Sequence, residues 1–168
     1  MIESYQRISL RFIVLILVQT LVINNINLFG YINPMIYILF LLLFPFYKNQ
    51  TLYIFLGFLI GLFIDLFSQG SGANTFASLT ICFIRPAIIG FIFGFKSRVQ
   101  SLSIINEPRI RNKILYVVCF VILHHLFYFI AVYFNTSNTF FVFRNTLTTS
   151  LFSIILLWVI MSFYKPNK

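Results

Sequence analysis

The sequence predicts an all-α integral membrane protein, and two observations carry this prediction. Only 15 of the 168 residues are charged, 12 basic and 3 acidic, whereas 60% are hydrophobic. A soluble domain of this size needs a polar surface, and the chain has too few polar residues to build one. The charges are also clustered, and the uncharged stretches between them approach the roughly 20 residues that cross a bilayer as a helix.

Polar and turn-forming residues divide these stretches into six predicted transmembrane helices within one domain, residues 1–168. Their approximate bounds are 12–28, 31–46, 51–67, 75–95, 114–134 and 145–163. The second is short, so a reentrant segment or a broken helix is the alternative there, with Asn33 as its candidate N-cap and Pro34 as its first helical residue. The first has no small-residue cleavage site after it, and we expect it to be retained.

The positions of the basic residues predict the orientation. Ten of the twelve precede span 1, follow span 6, or lie between spans 2 and 3 or spans 4 and 5, whereas the opposite loops at 24–33, 68–74 and 135–143 carry no charge. This positive-inside pattern places both termini in the cytoplasm and requires an even number of crossings. The net charge of +9 is therefore a sign of membrane topology, and no nucleic-acid partner is expected.

One face of span 3 combines two glycines with a carboxylate. Gly57, Gly61 and Asp65 are spaced by four residues, so they share a helix face on which another backbone can approach closely. A tightly packed helix that ends in a capped turn explains this set. The alternative is that Asp65 lines a ligand or partner site. Span 4 repeats the small-residue spacing with Gly90 and Gly94.

Arg85 is the most anomalous residue, because it lies near the middle of span 4, where a charge is costly. We expect uncharged polar groups to hold it, with His124 and His125 of span 5 at a similar depth. Asp65 then pairs with Arg144, which matches its depth better than Arg85 does. Pro86 leaves a backbone carbonyl one turn earlier without its donor, which the Arg85 guanidinium or a neighbouring helix would satisfy.

The remaining polar residues predict helix packing and not catalysis. Span 6 carries a polar stripe that includes Thr149 and Ser153, and hydrogen bonds between helices explain it. Adjacent histidines are a poor metal chelate on a helix, so His124 and His125 are given a structural role. The chain shows no metal-ligand spacing, phosphate-binding loop or serine elbow. We therefore expect no catalytic residue, no metal and no cofactor.

The motif Gly57-x3-Gly61-x3-Asp65-x2-Ser68, followed by a glycine-rich turn to Asn74, resembles the signature region of the rod-shape-determining MreD family. Arg85-Pro86 and His124-His125 resemble pairs found in a subset of that family, and the length, six-span layout and basic loop match as well. The turn 69–72 departs from the family's usual filling.

This resemblance implies a non-enzymatic scaffold of the cell-elongation machinery in the bacterial inner membrane, supporting cell shape and peptidoglycan synthesis. The implied partners are an MreC-like single-pass membrane protein, MreB-like filaments and the wall synthases of elongation. The family is similar in fold to the substrate-binding subunits of energy-coupling-factor transporters, so a small-molecule-binding transport subunit is the alternative. An intramembrane enzyme built on Asp65, His124 and His125 is a further alternative that lacks a paired carboxylate or nucleophile.

Overall fold

The computed structural model describes residues 5–26, 30, 32–45, 49–68, 71–94, 104–134 and 139–164. Across these ranges the regular structure is helical and contains no β-strand, which confirms the predicted all-α class. The helices are α1 (Tyr5–Leu21), α2 (Ile38–Leu43), α3 (Gln50–Phe67), α4 (Ala73–Phe93), α5 (Ile110–Val132) and α6 (Thr139–Ser162). Single 3₁₀ turns lie at Ile23–Asn25 and Ile104–Asn106.

Within the described residues, five helices are long and apolar enough to cross a membrane, namely α1 extended by its 3₁₀ turn, α3, α4, α5 and α6. Several of these helices begin before the uncharged runs that predicted them. For example, α5 also includes Arg111 and Lys113, and α6 also includes Arg144. A long basic side chain near a helix end can carry its charge to the interface while the backbone remains helical. The uncharged runs therefore underestimate the lengths of these helices.

Neighbouring helices run antiparallel. His125 of α5 lies opposite Ser153 of α6, and Tyr133, directly after α5, lies opposite Asn145 of α6. Arg11 near the start of α1 lies over the ring of Tyr164 after α6, with 5.4 Å from its guanidinium carbon to the ring centroid. We call this the proximal end of the bundle. At the opposite, distal end, where α1 and α3 finish and α4 and α6 begin, Asn24 donates a hydrogen bond to Ser68.

The chain between α1 and α3 is the main departure from the predicted layout. Of the predicted span 31–46 only Ile38–Leu43 is helical, whereas Tyr31 and Phe46 lie outside the described residues. The predicted cap is also wrong, because the residue at the helix N-cap is Tyr37 and not Asn33. We call residues 32–45 the central segment. It begins at the distal end and leads towards the start of α3.

The central segment is enclosed by the long helices. Every residue from Pro34 to Pro45 is buried, and Ile38–Leu43 is at most 1% exposed. Aromatic rings pack around it, with Phe40 against Phe12 and Phe44 against Tyr53 at centroid distances of 5.3 and 5.0 Å. Non-helical backbone is tolerated at membrane depth only where protein or a water-filled cavity surrounds it, and here protein does so.

Candidate functional site

Buried polar side chains from all five long helices converge on the central segment or on each other. Most of them are fully or almost fully buried, as are the backbone groups that they contact. We call this set the polar network, and its members are Gln19, Tyr37, Gln50, Tyr53, Asp65, Asn74, Arg85, Tyr116, His124, His125 and Ser153.

Gln19 of α1 supplies hydrogen bonds to the extended beginning of the central segment. Its Oε1 accepts from the backbone N–H of Ile36 and Tyr37 at 2.7 and 3.3 Å, and its Nε2 donates to the carbonyl of Pro34 at 3.3 Å. These backbone groups precede the regular helix α2 and have no helical partner there. The carboxamide suits the position, because it both accepts and donates.

Tyr53 of α3 compensates for a proline at the other end of the central segment. In a continuous helix the carbonyl of Leu41 would accept from the N–H of residue 45, but Pro45 has none. Phe44 is already extended, with φ −63° and ψ 131°, as is usual before proline. The hydroxyl of Tyr53 donates to the Leu41 carbonyl at 3.0 Å and replaces the missing backbone donor.

Arg85 of α4 binds the end of the same segment. Its Nη2 donates to the carbonyl of Phe44, and its Nε donates to the hydroxyl of Tyr116 at 2.9 Å. The guanidinium carbon lies 4.2 Å from the centroid of the Tyr53 ring, within cation–π range. Uncharged groups thus contact Arg85, as predicted, but they are tyrosines and a carbonyl. Neither His124 nor His125 is a recorded partner within the described residues.

Pro86 leaves a second carbonyl without its backbone donor, and α3 supplies the replacement here too. The carbonyl of Cys82, one turn before Pro86, accepts a hydrogen bond from Nε2 of Gln50 at 2.8 Å. Of the two donors predicted for this carbonyl, the neighbouring helix is therefore the one present. Gln50 and Tyr53 are three residues apart on one face of α3. This single face therefore supplies the hydrogen-bond donors that both prolines lack.

His125 connects α5 to α6 and, through Ser153, to the central segment. Its Nδ1 lies 2.8 Å from the Val121 carbonyl, which can only accept, so the proton is assigned to Nδ1. Its Nε2 then accepts from Ser153 Oγ at 3.2 Å, and that oxygen accepts from the N–H of Met35 at 3.1 Å. One ring nitrogen of His125 thus donates and the other accepts, as in a neutral imidazole.

His124 faces other elements than His125 does. Its Nε2 lies 3.1 Å from the hydroxyl of Tyr37, which donates to Oδ1 of Asn74 at 3.0 Å, and 3.5 Å from Oγ of Ser78. The two histidines therefore do not present nitrogens to a common point. Within the described ranges no group of three or more His, Cys, Asp or Glu side chains is placed to hold a metal ion.

Asp65 caps the start of α4. Its carboxylate accepts from N and Nδ2 of Asn74 at 3.2 and 2.8 Å, and from N and Oγ1 of Thr75 at 2.8 and 2.6 Å. A carboxylate at this position also interacts favourably with the helix dipole. The predicted pairing with Arg144 is wrong for the described part of the chain. Arg144 donates to Asn145 at 3.2 Å and lies 5.1 Å from the Phe141 ring centroid.

The glycine face of α3 packs on α4. A Cβ added at Gly61 would lie 2.6 Å from Cα of Thr75 and 2.7 Å from the Asn74 carbonyl, and one added at Gly57 would lie 2.4 Å from Sγ of Cys82. The absence of side chains at both positions brings the distal half of α4 close enough for Asp65 to cap it.

The second glycine pair does not form a matching face. Gly90 is buried within α4, but Gly94 is the exposed C-cap of that helix, with φ +79° and ψ 153°, a conformation that favours glycine. No described atom lies within 4 Å of a Cβ built at Gly94. Within the described residues Gly94 therefore ends the helix and contacts no other helix, and its predicted packing role stays a prediction.

The polar stripe of α6 is only partly bonded. Ser153 has the two partners given above, and Asn145 donates to the Tyr133 hydroxyl at 2.8 Å. The hydroxyls of Thr146, Thr149 and Ser150 are buried without a partner within the described residues, and so is Nδ1 of His124. Within the described residues the predicted hydrogen bonds between helices therefore include Ser153 but not Thr149.

An amide-rich cavity of about 380 Å³ opens at the distal end. Gln19, Asn33 and Asn74 line it together with Tyr128 and Met35. Two of these, Gln19 and Asn74, are also members of the polar network. Neither Arg85 nor the polar stripe of α6 is among the residues that form its wall.

Sequence reasoning missed Gln19, Gln50, Tyr53 and Tyr116. Pro45 and Pro86 were the available signal for such donors. Each proline in or just after a helix leaves the carbonyl four residues earlier without its backbone donor. Residues 41 and 82 follow directly from Pro45 and Pro86. The donors themselves lie on other helices, so spacing along the chain does not identify them.

Together these features define a helical bundle compatible with a multi-pass membrane protein, in which polar side chains hold a buried, partly non-helical segment. Comparison of the chain with protein-family models, with curated proteins and with solved structures finds no match.

Proposed function

We propose that this protein is a non-enzymatic scaffold of the bacterial inner membrane that supports the cell-elongation machinery. The observation that carries this proposal is the use of its intramembrane polar groups. Asp65, Arg85 and His125 bond to helix ends, backbone carbonyls and one serine. Such bonds favour a rigid framework over catalysis, because these groups already have partners.

The proposed topology has six crossings with both termini in the cytoplasm. Five crossings are the long helices, and the central segment is the sixth, because it connects the distal end of α1 to the proximal start of α3. The placement of Arg11 beside Tyr164 favours an even number of crossings. The proximal end would then be cytoplasmic, since Arg7, Arg11 and Arg109 lie there.

The proposed main partner is an MreC-like single-pass membrane protein, with MreB-like filaments and the elongation wall synthases in the wider assembly. The support is the resemblance of the Gly57–Gly61–Asp65 motif to the MreD family, together with the Arg85-Pro86 and His124-His125 pairs. The likeness to transporter substrate-binding subunits is likewise an expectation of that resemblance.

Gentle isolation of the tagged protein from its native membrane tests this function. We expect near-stoichiometric recovery of a single-pass membrane protein with an outer domain. Gly61→Leu, which forces α3 and α4 apart, should reduce that recovery, whereas Ala87→Leu on an exposed position of α4 should not. Recovery of an ATPase module as the main partner would contradict the scaffold and favour the transporter.

The distal cavity favours one second candidate, a small-molecule-binding transport subunit. Its amide lining would suit an uncharged polar solute, since carboxamides both donate and accept hydrogen bonds. Mass spectrometry of the gently purified protein decides this point. A retained solute that is lost in the cavity variant Asn33→Leu would establish the transport subunit. Absence of a solute from the native protein would favour the scaffold.

A further inference from the structure

A second concave surface lies between α1 and α6. This groove has a volume of about 450 Å³ and a largely apolar wall. Its sides include Val14 and Val18 of α1 and Ile160 of α6, and its floor is Ile36 and Leu39 of the central segment. Both residues of the central segment are themselves buried, with Ile36 4% and Leu39 1% exposed.

The length and the apolar wall of the groove indicate its occupant. The lining residues of α1 extend from Arg7 to Val18, which is about 16 Å at 1.5 Å per residue. That length matches the roughly 15 Å hydrocarbon depth of one leaflet, through which a lipid acyl chain extends.

The charges are concentrated at one end of the groove. Arg7 and Arg11 are one helical turn apart on the same face of α1 and line the groove at its proximal end. Arg7 is exposed, and Arg11 lies beside Tyr164, which also lines the groove. Guanidinium groups bind phosphate through paired N–H donors, so this end matches an anionic headgroup.

We propose that the groove between α1 and α6 binds one anionic phospholipid, with its phosphate against Arg7 and Arg11 and an acyl chain over Ile36 and Leu39. The chain would pack between α1 and α6, along the part of the wall that Ile36 and Leu39 contribute. This proposal does not depend on the scaffold function, because it rests on the groove alone.

Native mass spectrometry of the delipidated protein tests the proposal, with phosphatidylglycerol and phosphatidylcholine of identical acyl chains as probes. We expect one phosphatidylglycerol to bind at least tenfold more tightly than phosphatidylcholine. Arg7→Gln together with Arg11→Gln should weaken phosphatidylglycerol binding by roughly 10- to 30-fold, since each basic residue near a membrane surface contributes about 1 kcal/mol. The paired exposed change Arg109→Gln with Arg111→Gln is the charge control and should leave that binding unchanged.

The chain position is tested separately. Val14→Trp fills the groove and should abolish the tight site, whereas Ile13→Trp, on the neighbouring exposed face of α1, should retain it. Equal binding of both lipids by the native protein, or binding that survives Val14→Trp, would overturn the proposal. So would a transmembrane peptide that crosslinks to position 14 in the native membrane in place of lipid. If Val14→Trp fails to fold, the arginine variant still decides through the ratio of the two affinities.

Discussion

The hydroxyl of Tyr53 lies 3.0 Å from the carbonyl oxygen of Leu41, the acceptor that Pro45 leaves without its backbone donor. A side chain on one helix thus completes the hydrogen bonding of another element, and Gln50 does the same for Cys82. In a membrane such compensation is required, because lipid offers no hydrogen bonds to an open carbonyl.

Tyr53→Phe tests this relationship. Removal of the hydroxyl leaves the Leu41 carbonyl buried without its donor, so we expect the free energy of unfolding to fall by about 0.6–1.7 kcal/mol, which are the mean and the largest value measured for hydrogen bonds within membranes. The measurement is reversible unfolding of the purified protein in bicelles. Tyr128→Phe is the matched control, because the Tyr128 hydroxyl has no recorded hydrogen bond within the described residues. Equal stability of the two variants would show that the Leu41 carbonyl finds another partner.

Arg85→Leu should separate membrane insertion from folding. The substitution removes a charge that costs about 2.5–3.5 kcal/mol at the centre of a membrane helix, so insertion should be as good or better. Folding should be impaired by about 1–3 kcal/mol, because the Phe44 carbonyl and the Tyr116 hydroxyl lose their partner. The two readouts are the amount of protein in the membrane and its monodisperse fraction after solubilisation.

Arg85→Lys should fall between the native protein and Arg85→Leu. An ammonium keeps the charge but lacks the planar fork that bonds Phe44 and Tyr116 and stacks on Tyr53. Arg109→Gln, at an exposed site before α5, controls for the loss of a positive charge. If Arg85→Leu were as monodisperse as this control, the bonds of Arg85 would not be needed for folding.

Alanine at Gly61 should destabilise the bundle more than alanine at Gly57. The added Cβ at 61 meets backbone atoms of Asn74 and Thr75, which can move only if α3 and α4 separate. At 57 it meets the Cys82 thiol, which can rotate away. We expect a loss of about 1–3 kcal/mol for Gly61→Ala, measured as unfolding in bicelles.

The cysteine provides an internal control for this ranking. Cys82→Ala combined with Gly57→Ala should recover most of the stability that Gly57→Ala loses, because the obstructing sulfur is gone. The same cysteine change should not rescue Gly61→Ala. Rescue of both glycine variants would mean that the two positions contact α4 in another way.

Two polar positions of α6 should respond oppositely. Ser153→Ala removes the hydroxyl between Met35 and His125 and should lower stability by about 1–2 kcal/mol, since a buried N–H is left unpaired. Thr149→Val replaces a buried hydroxyl that has no partner within the described residues, so it should be neutral or stabilising. A larger loss for Thr149→Val than for Ser153→Ala would indicate that the stripe binds a partner at position 149.

Much of the architecture was predictable from local patterns. The uncharged runs identified the long helices, and the spacing of Gly57, Gly61 and Asp65 identified the face of α3 that packs on α4. The extent of span 2 was not predictable in the same way. Its apolar residues are typical of a membrane helix, but Pro45 removes a backbone donor at its end, and the neighbours that replace its missing hydrogen bonds are distant in sequence.

The sequence by itself determined the helical class, because a chain this apolar must satisfy its backbone internally. Only the tertiary structure decided the partners of Arg85, Asp65 and the two histidines. Depth along a helix is readable from residue spacing, but the direction in which a side chain points depends on how the helices rotate about their axes when they pack. Close contact at Gly61 brings α4 to Asp65, and the enclosed central segment brings its carbonyls to Tyr53 and Arg85.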